Sequence, residues 1–394
     1  MTDFFPTSEA EAAAFISDCA AAGKTIRILG GGTRARLARD IAADAQLSTQ
    51  NLTGVTLYEP AEMVISARSG TPVREVLALI DQHNQMLPFE PLDHRTLLAT
   101  TGEPTMGGLA ATNASGPRRI YAGAARDHLI GARFVNGRGE IVKSGGRVMK
   151  NVTGLDLVKV HCGAYGTLGL LTEVTFKLRP KPERVATLIY KRLDEASAIR
   201  LLGEALGSPF EITGAAYLPI GHGRDFSRAL LRIEGFDASV SYRIDELRRR
   251  FAAYATPREA LEGPDADRLW RAVRDVEFLS APAEAPLWRL SVKPSDAAAC
   301  VAHLRAIDGA RYFYDLGGGL IWFTDPSGQN AALIRDTLAA MNGHATLVRG
   351  PDALRQAVPP FSPLPAAQEK LMRSVKHAFD PQRLINPDLM YPGL

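Results

Sequence analysis

Residues 105–116 of this chain read TMGGLAATNASG, twelve positions made almost entirely of glycine and other small residues. Gly107, Gly108 and Gly116 allow the backbone to approach another surface closely, because glycine carries no Cβ. Thr112 and Asn113 add short polar side chains to the run. A glycine-rich loop between strands is the alternative interpretation, although turns alone do not explain so many small residues. The run therefore predicts a backbone segment that lies against a bound ligand, or a set of tight turns.

Two further glycine segments accompany this run, and residues 100–170 hold 14 of the 35 glycines of the 394-residue chain. Residues 29–33, LGGGT, follow a predicted strand, and three successive glycines let backbone N–H groups converge on an anion such as a pyrophosphate. A simple tight turn is the alternative. Residues 163–172, GAYGTLGLLT, lead into a predicted strand at 170–178. The segment LGGGT has neither the spacing of a dinucleotide-binding Rossmann motif nor that of a P-loop.

In this order, the three segments resemble the FAD-binding domain of the vanillyl-alcohol-oxidase/PCMH flavoprotein superfamily. The resemblance covers roughly residues 1–180, together with residues 379–387, FDPQRLINP, which are similar to the C-terminal FDP…NP motif of the family. Residues 91–93, PLD, and 126–128, RDH, are also similar to family segments, although an ion pair at a turn is an equal alternative for the second.

Within the superfamily, the chain is similar to the FAD-binding subunits of bacterial glycolate oxidases. That similarity lies in residues 149–157, 317–322 and 343–349. The resemblance implies that the loop 30–33 binds the pyrophosphate of FAD and that the other segments line the rest of the cofactor. It assigns cofactor binding to Gly30, Gly31, Gly32, Thr33, Pro91, Leu92, Gly107, Gly108, Thr112, Asn113, Gly116, Asp127, Gly163, Gly166, Gly169, Leu171 and Asn386. It singles out no catalytic residue.

Two departures from the family pattern carry predictions. Relatives that attach FAD covalently have a histidine where this chain has Thr33, so we expect noncovalent FAD. Relatives that oxidise 2-hydroxy acids with a metal carry closely spaced histidines, whereas the eight histidines of this chain all lie more than four residues apart. Because metal-binding pairs on one element are usually two to four residues apart, we expect no metal site.

Cysteine usage indicates that the chain works with partners. Cys19, Cys162 and Cys300 are far apart and form no C-x-x-C motif, so the chain lacks ligands for an iron–sulfur cluster. The resemblance implies a hydride transfer from a 2-hydroxy acid such as glycolate to the flavin, after which electrons leave singly. We therefore expect a larger FAD-containing subunit and an iron–sulfur subunit as partners. The alternatives are a stand-alone FAD-dependent oxidase or dehydrogenase of a small alcohol or sugar, and a purely structural subunit.

The order of predicted strands and helices indicates an α+β protein. We expect a two-lobed PCMH-type FAD-binding domain over residues 1–180, ending at the proline-rich residues 179–182. A ferredoxin-like antiparallel sheet backed by helices is expected over 181–345 as a substrate domain, and residues 346–394 are expected to return to the FAD domain. The net charge of +3 argues against a dedicated nucleic-acid-binding protein. Without a signal peptide or a long apolar run, we expect a cytoplasmic protein whose membrane contact is peripheral and made through partners.

Overall fold

The structure is a computed structural model that describes residues 2–146, 155–254, 257 and 260–394. Most of the motif at 149–157, namely residues 149–154, lies outside the described residues. Helices and antiparallel strands are mixed along the chain, which confirms the predicted α+β class. Within the described ranges, no helix is long and apolar enough to cross a membrane.

The N-terminal half contains two sheets. The first is parallel, with the strand order Thr2–Phe4, Ala45–Ser48, Ile26–Leu29. The second is antiparallel and five-stranded, with the order Val55–Glu59, Val64–Arg68, Leu170–Lys177, Leu129–Val135, Ile141–Gly145. A short antiparallel pair joins Arg179–Pro180 to Gln85–Met86.

The strand Leu170–Lys177 differs from the half-buried pattern that alternating residues 174–178 predict. Its two threonines, Thr172 and Thr175, are buried together with the apolar residues, since the strand lies at the centre of its sheet. Each hydroxyl has a partner: Thr172 Oγ1 donates to Glu9 at 2.6 Å, and Thr175 Oγ1 lies 2.8 Å from the hydroxyl of Ser66. Buried hydroxyls are tolerated when they are hydrogen-bonded, which explains how a central strand keeps these residues.

The second half of the chain forms one antiparallel eight-stranded sheet, as expected for the substrate domain. Its strands are ordered Ala260–Glu262, Arg184–Lys191, Arg228–Gly235, Ile212–Leu218, Tyr312–Asp315, Leu320–Thr324, Leu287–Ser291, His344–Arg349. Because the last of these strands ends at Arg349, the sheet extends beyond the predicted boundary at residue 345. We refer to it below as the large sheet.

The helices cover these sheets on several faces. In the described residues they are Glu9–Ala21, Val73–Asp81, Arg95–Leu98, Met106–Thr112, Arg119–Ala122, Ala125–His128, Leu157–His161, Glu195–Leu206, Asp237–Arg250, Gly263–Arg274, Ala297–Leu304, Ala331–Ala340, Asp352–Ala357 and Ala366–Phe379. One face of the large sheet packs in a hydrophobic core against helices such as Glu195–Leu206 and Asp237–Arg250. On its opposite face, Leu218 and Leu230 belong to a hydrophobic core that also contains Leu92 of the N-terminal half. This shared core fixes the position of the candidate functional site between the large sheet and the N-terminal half.

Candidate functional site

The three glycine segments surround one cavity of about 840 Å³, which we call the first cavity. The strand Ile26–Leu29 delivers the loop 30–33 to one wall, and the start of the helix Met106–Thr112 forms another. The residues assigned from the sequence that line it are Gly30, Gly31, Gly32, Thr33, Gly107, Gly108, Thr112, Gly166, Gly169, Leu171 and Asn386. The fold thus brings together Gly30 and Asn386, which are 356 residues apart in the chain.

Adjacent glycines in the loop 30–32 serve different purposes. A Cβ on Gly31 would lie 1.8 Å from the carbonyl oxygen of Glu103, so this glycine is required by contact with the protein's own backbone. Gly32 has a φ of +77° and would place a Cβ in open space. The sequence predicts that these glycines let the backbone approach a ligand. The structure adds that Gly31 allows the loop to pack against Glu103 and that Gly32 allows the loop to turn.

Asn386 joins two of the glycine segments. Its side-chain oxygen accepts a hydrogen bond from Ile28 N at 2.8 Å, and its amide nitrogen donates to the carbonyl oxygens of Tyr165 and Gly166 at 3.2 Å. The preceding turn is held by the buried Lys376, whose Nζ donates to Asp380 at 2.8 Å and to Ile385 O at 2.7 Å. The C-terminal segment therefore orients both loops and contributes Asn386 to the cavity wall.

Two polar side chains of the first cavity were not identified from the sequence. The buried Arg34 donates from Nε to His94 Nδ1 at 3.3 Å and from Nη2 to Leu92 O at 3.0 Å, and no carboxylate of the described residues forms an ion pair with it. Burial lowers its pKa to about 10, so it stays cationic at neutral pH. The hydroxyl of Ser69 is buried with no hydrogen-bond partner among the described residues. An unpaired cation and a free hydroxyl suit a diphosphate, so these residues fit FAD.

Arg34 could have been identified from the sequence, because a basic residue directly after a glycine loop is well placed to meet a phosphate. Ser69 had no such sequence signal. It follows the strand Val64–Arg68 and lies at the cavity, where Ser69 N donates to Thr172 O at 2.9 Å and Gly107 N donates to Ser69 O at 2.7 Å.

A second cavity, of about 1230 Å³, lies between the N-terminal half and the large sheet. It shares Thr112 and Tyr165 with the first cavity, so the two adjoin. The residues assigned from the sequence that line it are Leu92, Thr112, Asn113, Gly116 and Gly163. Its other polar lining includes Arg119, Arg289 and Asp315. Burial raises the pKa of Asp315 to about 7.

Pro91 and Asp127 are not among the described residues that line either cavity. The carboxylate of Asp127 accepts a hydrogen bond from Ala124 N at 2.8 Å, at the start of the helix Ala125–His128. The assignment of Asp127 to the cofactor stays a prediction. Pro91 differs from its neighbour Leu92, which does line the second cavity.

Metal ligands are not clustered in the part of the chain that the structure describes, where no three His, Cys, Asp or Glu side chains are placed to hold an ion. The three cysteines are free and buried.

Comparison with known proteins agrees with this geometry. Residues 3–145 match the family described as FAD binding domain. The glycolate oxidase subunit GlcE of Escherichia coli K12 is 32% identical over 371 residues, which is 93% of each chain. The glycolate oxidase subunit GlcD of Bacillus subtilis is 41% identical over 95 residues, covering 24% of this chain and 20% of that protein.

A solved structure of an alkyldihydroxyacetonephosphate synthase superposes with a TM-score of 0.72 at 16% identity, covering 98% of this chain and 76% of that one. At that identity the likeness shows the fold alone, and it confirms the PCMH-type FAD-binding fold with a second, antiparallel domain. The FAD binding domain match and the likeness to GlcE confirm FAD as the cofactor. The chain belongs to the family of the glycolate oxidase subunit GlcE, among the FAD-dependent oxidoreductases that act on CH–OH groups.

Proposed function

We propose that this chain is the FAD-binding subunit of a multisubunit glycolate dehydrogenase and that it holds its FAD noncovalently. The observation that carries the proposal is the first cavity, where three glycine segments, an unpaired arginine and an unpartnered serine hydroxyl converge. Membership of the GlcE family supports glycolate as the substrate of the complex.

Each group of the first cavity has a defined task in this proposal. Arg34 supplies a charge-assisted hydrogen bond to the cofactor's diphosphate, and its bonds to His94 and Leu92 hold the guanidinium in place. Ser69 donates the hydrogen bond that its hydroxyl does not make within the protein. Bound FAD supplies the two-electron oxidation chemistry, and the surrounding residues bind and orient it.

Thr33 supports noncovalent attachment. It lines the first cavity and is buried, at 3% exposure. A threonine hydroxyl offers no imidazole nitrogen for a histidyl–flavin bond, so affinity must come from the polar contacts and the packing of the groove.

The need for partner subunits follows from the route by which electrons leave the flavin. Cys19, Cys162 and Cys300 are buried on separate elements, and no three His, Cys, Asp or Glu side chains within the described ranges are grouped to hold an ion. We therefore assign the onward one-electron steps to an iron–sulfur subunit, with a larger FAD-containing subunit as the third member. That GlcE and GlcD are both named as subunits of glycolate oxidase supports this assembly.

The first test replaces Arg34 with methionine. Because a hydrogen bond to a charged group contributes about 1.5–3 kcal/mol, we expect R34M to weaken FAD binding roughly 10- to 100-fold. FAD is first released by acid precipitation, as noncovalent attachment predicts, and the refolded chain is titrated with FAD by calorimetry. R36M is the matched control, since Arg36 lies two residues away, is half-exposed and pairs with Asp352 at the surface.

R36M should bind FAD within about twofold of the unaltered chain, as expected for an exposed charge. If R34M does not refold, S69A tests the same contact surface with a minimal change in volume, and it should also weaken binding. Unchanged affinity in both variants would remove the first cavity as the diphosphate site.

A further inference from the structure

The second cavity contains two cations without a protein partner. Arg289 lies on the strand Leu287–Ser291 of the large sheet, and Arg119 begins the helix Arg119–Ala122 of the N-terminal half. Among the described residues, neither guanidinium has a hydrogen bond or an ion pair, in contrast with Arg274 of the same cavity, which bonds to Asp275 at 2.6 and 2.8 Å. The cavity thus holds positive charge that the folded chain leaves unpaired.

The electrostatic surroundings make this arrangement costly without a ligand. Burial and the positive charge of Arg119 both lower the pKa of Arg289. Asp315 lines the same cavity, but burial raises its pKa to about 7, so it is only partly ionised at neutral pH and cannot fully neutralise two arginines. Both arginines are half-buried, and a partly desolvated charge without a partner is unfavourable, so a bound anion would stabilise them.

We propose that Arg289 and Arg119 form a binding site on this chain for the carboxylate of a small 2-hydroxy or 2-oxo acid. This inference rests on the proposed function, which supplies the substrate class. The planar guanidinium suits a carboxylate, since two parallel N–H groups can bond to its two oxygens. Leu92, Leu320 and Trp322 add apolar surface to the same cavity.

Arg119 and Arg289 come from the two halves of the molecule and line the same cavity. The adjoining first cavity is assigned to the diphosphate of FAD, which leaves the second cavity for the acid and the isoalloxazine ring system. Binding at this site does not require that the isolated chain turn over the acid.

The test is calorimetric titration of the FAD-loaded full chain with oxalate, a nonreacting dicarboxylate, and separately with inorganic phosphate. We expect oxalate to bind and R289M to weaken it roughly 10- to 100-fold, the range for charge-assisted hydrogen bonds. K293M is the matched control, because Lys293 is an exposed cation two residues beyond the same strand, and it should stay within about twofold. The flavin content is measured on each sample before titration.

Thermal unfolding separates a ligand role from a structural role. Since Arg289 has no protein partner to lose, R289M should melt no lower than the unaltered chain. If R289M fails to fold, R119M must weaken oxalate binding in the same range.

Several outcomes would overturn the carboxylate site while leaving the proposed function standing. They are an FAD-loaded chain that binds no oxalate, tighter binding of phosphate than of oxalate, and unchanged oxalate binding in R289M with altered FAD affinity. The last result would pair Arg289 with the cofactor instead. A chain without flavin would contradict the proposed function itself.

Discussion

Replacing Gly31 with alanine is expected to lower the affinity of the chain for FAD by roughly 10- to 100-fold, the equivalent of about 1–3 kcal/mol of overpacking. The added methyl carbon would lie 1.8 Å from Glu103 O and 2.8 Å from Glu103 C, which is far inside van der Waals contact. Backbone atoms cannot rotate away as a side chain can. The loop 30–33 must therefore move, and it would carry one wall of the first cavity with it.

Calorimetric titration of the deflavinated G31A chain with FAD measures this effect. G203A is the matched control, because Gly203 lies inside the helix Glu195–Leu206 and a Cβ there meets nothing within 4 Å. Alanine in a helix interior is favoured over glycine by about 0.5–1 kcal/mol, so G203A should keep full FAD affinity and unfold slightly later. Equal FAD affinity in G31A and G203A would show that the loop does not form the cofactor site.

Replacing Glu90 with glutamine is expected to destabilise the protein by about 3–5 kcal/mol, the usual cost of removing one partner of a buried ion pair. Glu90 lies in the N-terminal half and accepts two hydrogen bonds from Arg232 of the large sheet, at 2.8 and 2.9 Å. Arg118 and Glu234 complete the cluster through two hydrogen bonds of 2.9 Å. All four side chains are at most 13% exposed.

This cluster joins the N-terminal half to the large sheet, the two parts between which the second cavity lies. Arg232 also lies 4.5 Å from the ring of Trp270, and Arg232 Nη2 donates to Thr213 O at 3.0 Å, so it cannot turn to solvent when Glu90 loses its charge. E90Q would leave this arginine buried with incomplete neutralisation. Urea unfolding at neutral pH measures the loss, and E369Q, which removes an exposed partner of Arg373, should cost less than about 1 kcal/mol.

The contribution of Glu90 to the free energy of unfolding should change with pH in a defined direction. Burial alone would raise the pKa of Glu90, but the charges of Arg232 and Arg118 outweigh it and lower the pKa from 4.5 to about 2. A carboxyl whose pKa is lower in the folded state stabilises the protein above its unfolded pKa and loses that effect as the pH falls. The difference in free energy of unfolding between the unaltered chain and E90Q should therefore shrink between pH 4.5 and pH 2. A constant difference would contradict the ion-pair account.

Local sequence patterns were sufficient to identify the glycine segments and the C-terminal motif as parts of one site. The loop 30–33 follows a strand and lines the first cavity, as the pattern predicts, and Asn386 reaches the same cavity from the end of the chain. The hydrogen bonds by which Asn386 links Ile28 N to the loop at 165–166 could not be predicted, because they depend on the orientation of one side-chain amide in the folded state.

Side chains that act across long separations could not be predicted. Ser69 lies at the first cavity against Gly107, a contact between separate elements that no local pattern marks. The pairing of Glu90 with Arg232 spans 142 positions and has no periodic signal. The carboxylate of Asp127 lies at a helix start, and its assignment to the cofactor, which rests on a short motif, stays a prediction.

The most direct test of the account is glycolate-dependent reduction of a dye by the tagged chain, purified from its native host under conditions that retain partners and again after separation from them. The account predicts activity in the complex, with a second flavin subunit and an iron–sulfur subunit present, and loss of that activity when the FAD-loaded chain is assayed alone. Robust glycolate oxidation by the isolated chain, or purification without either partner, would contradict it.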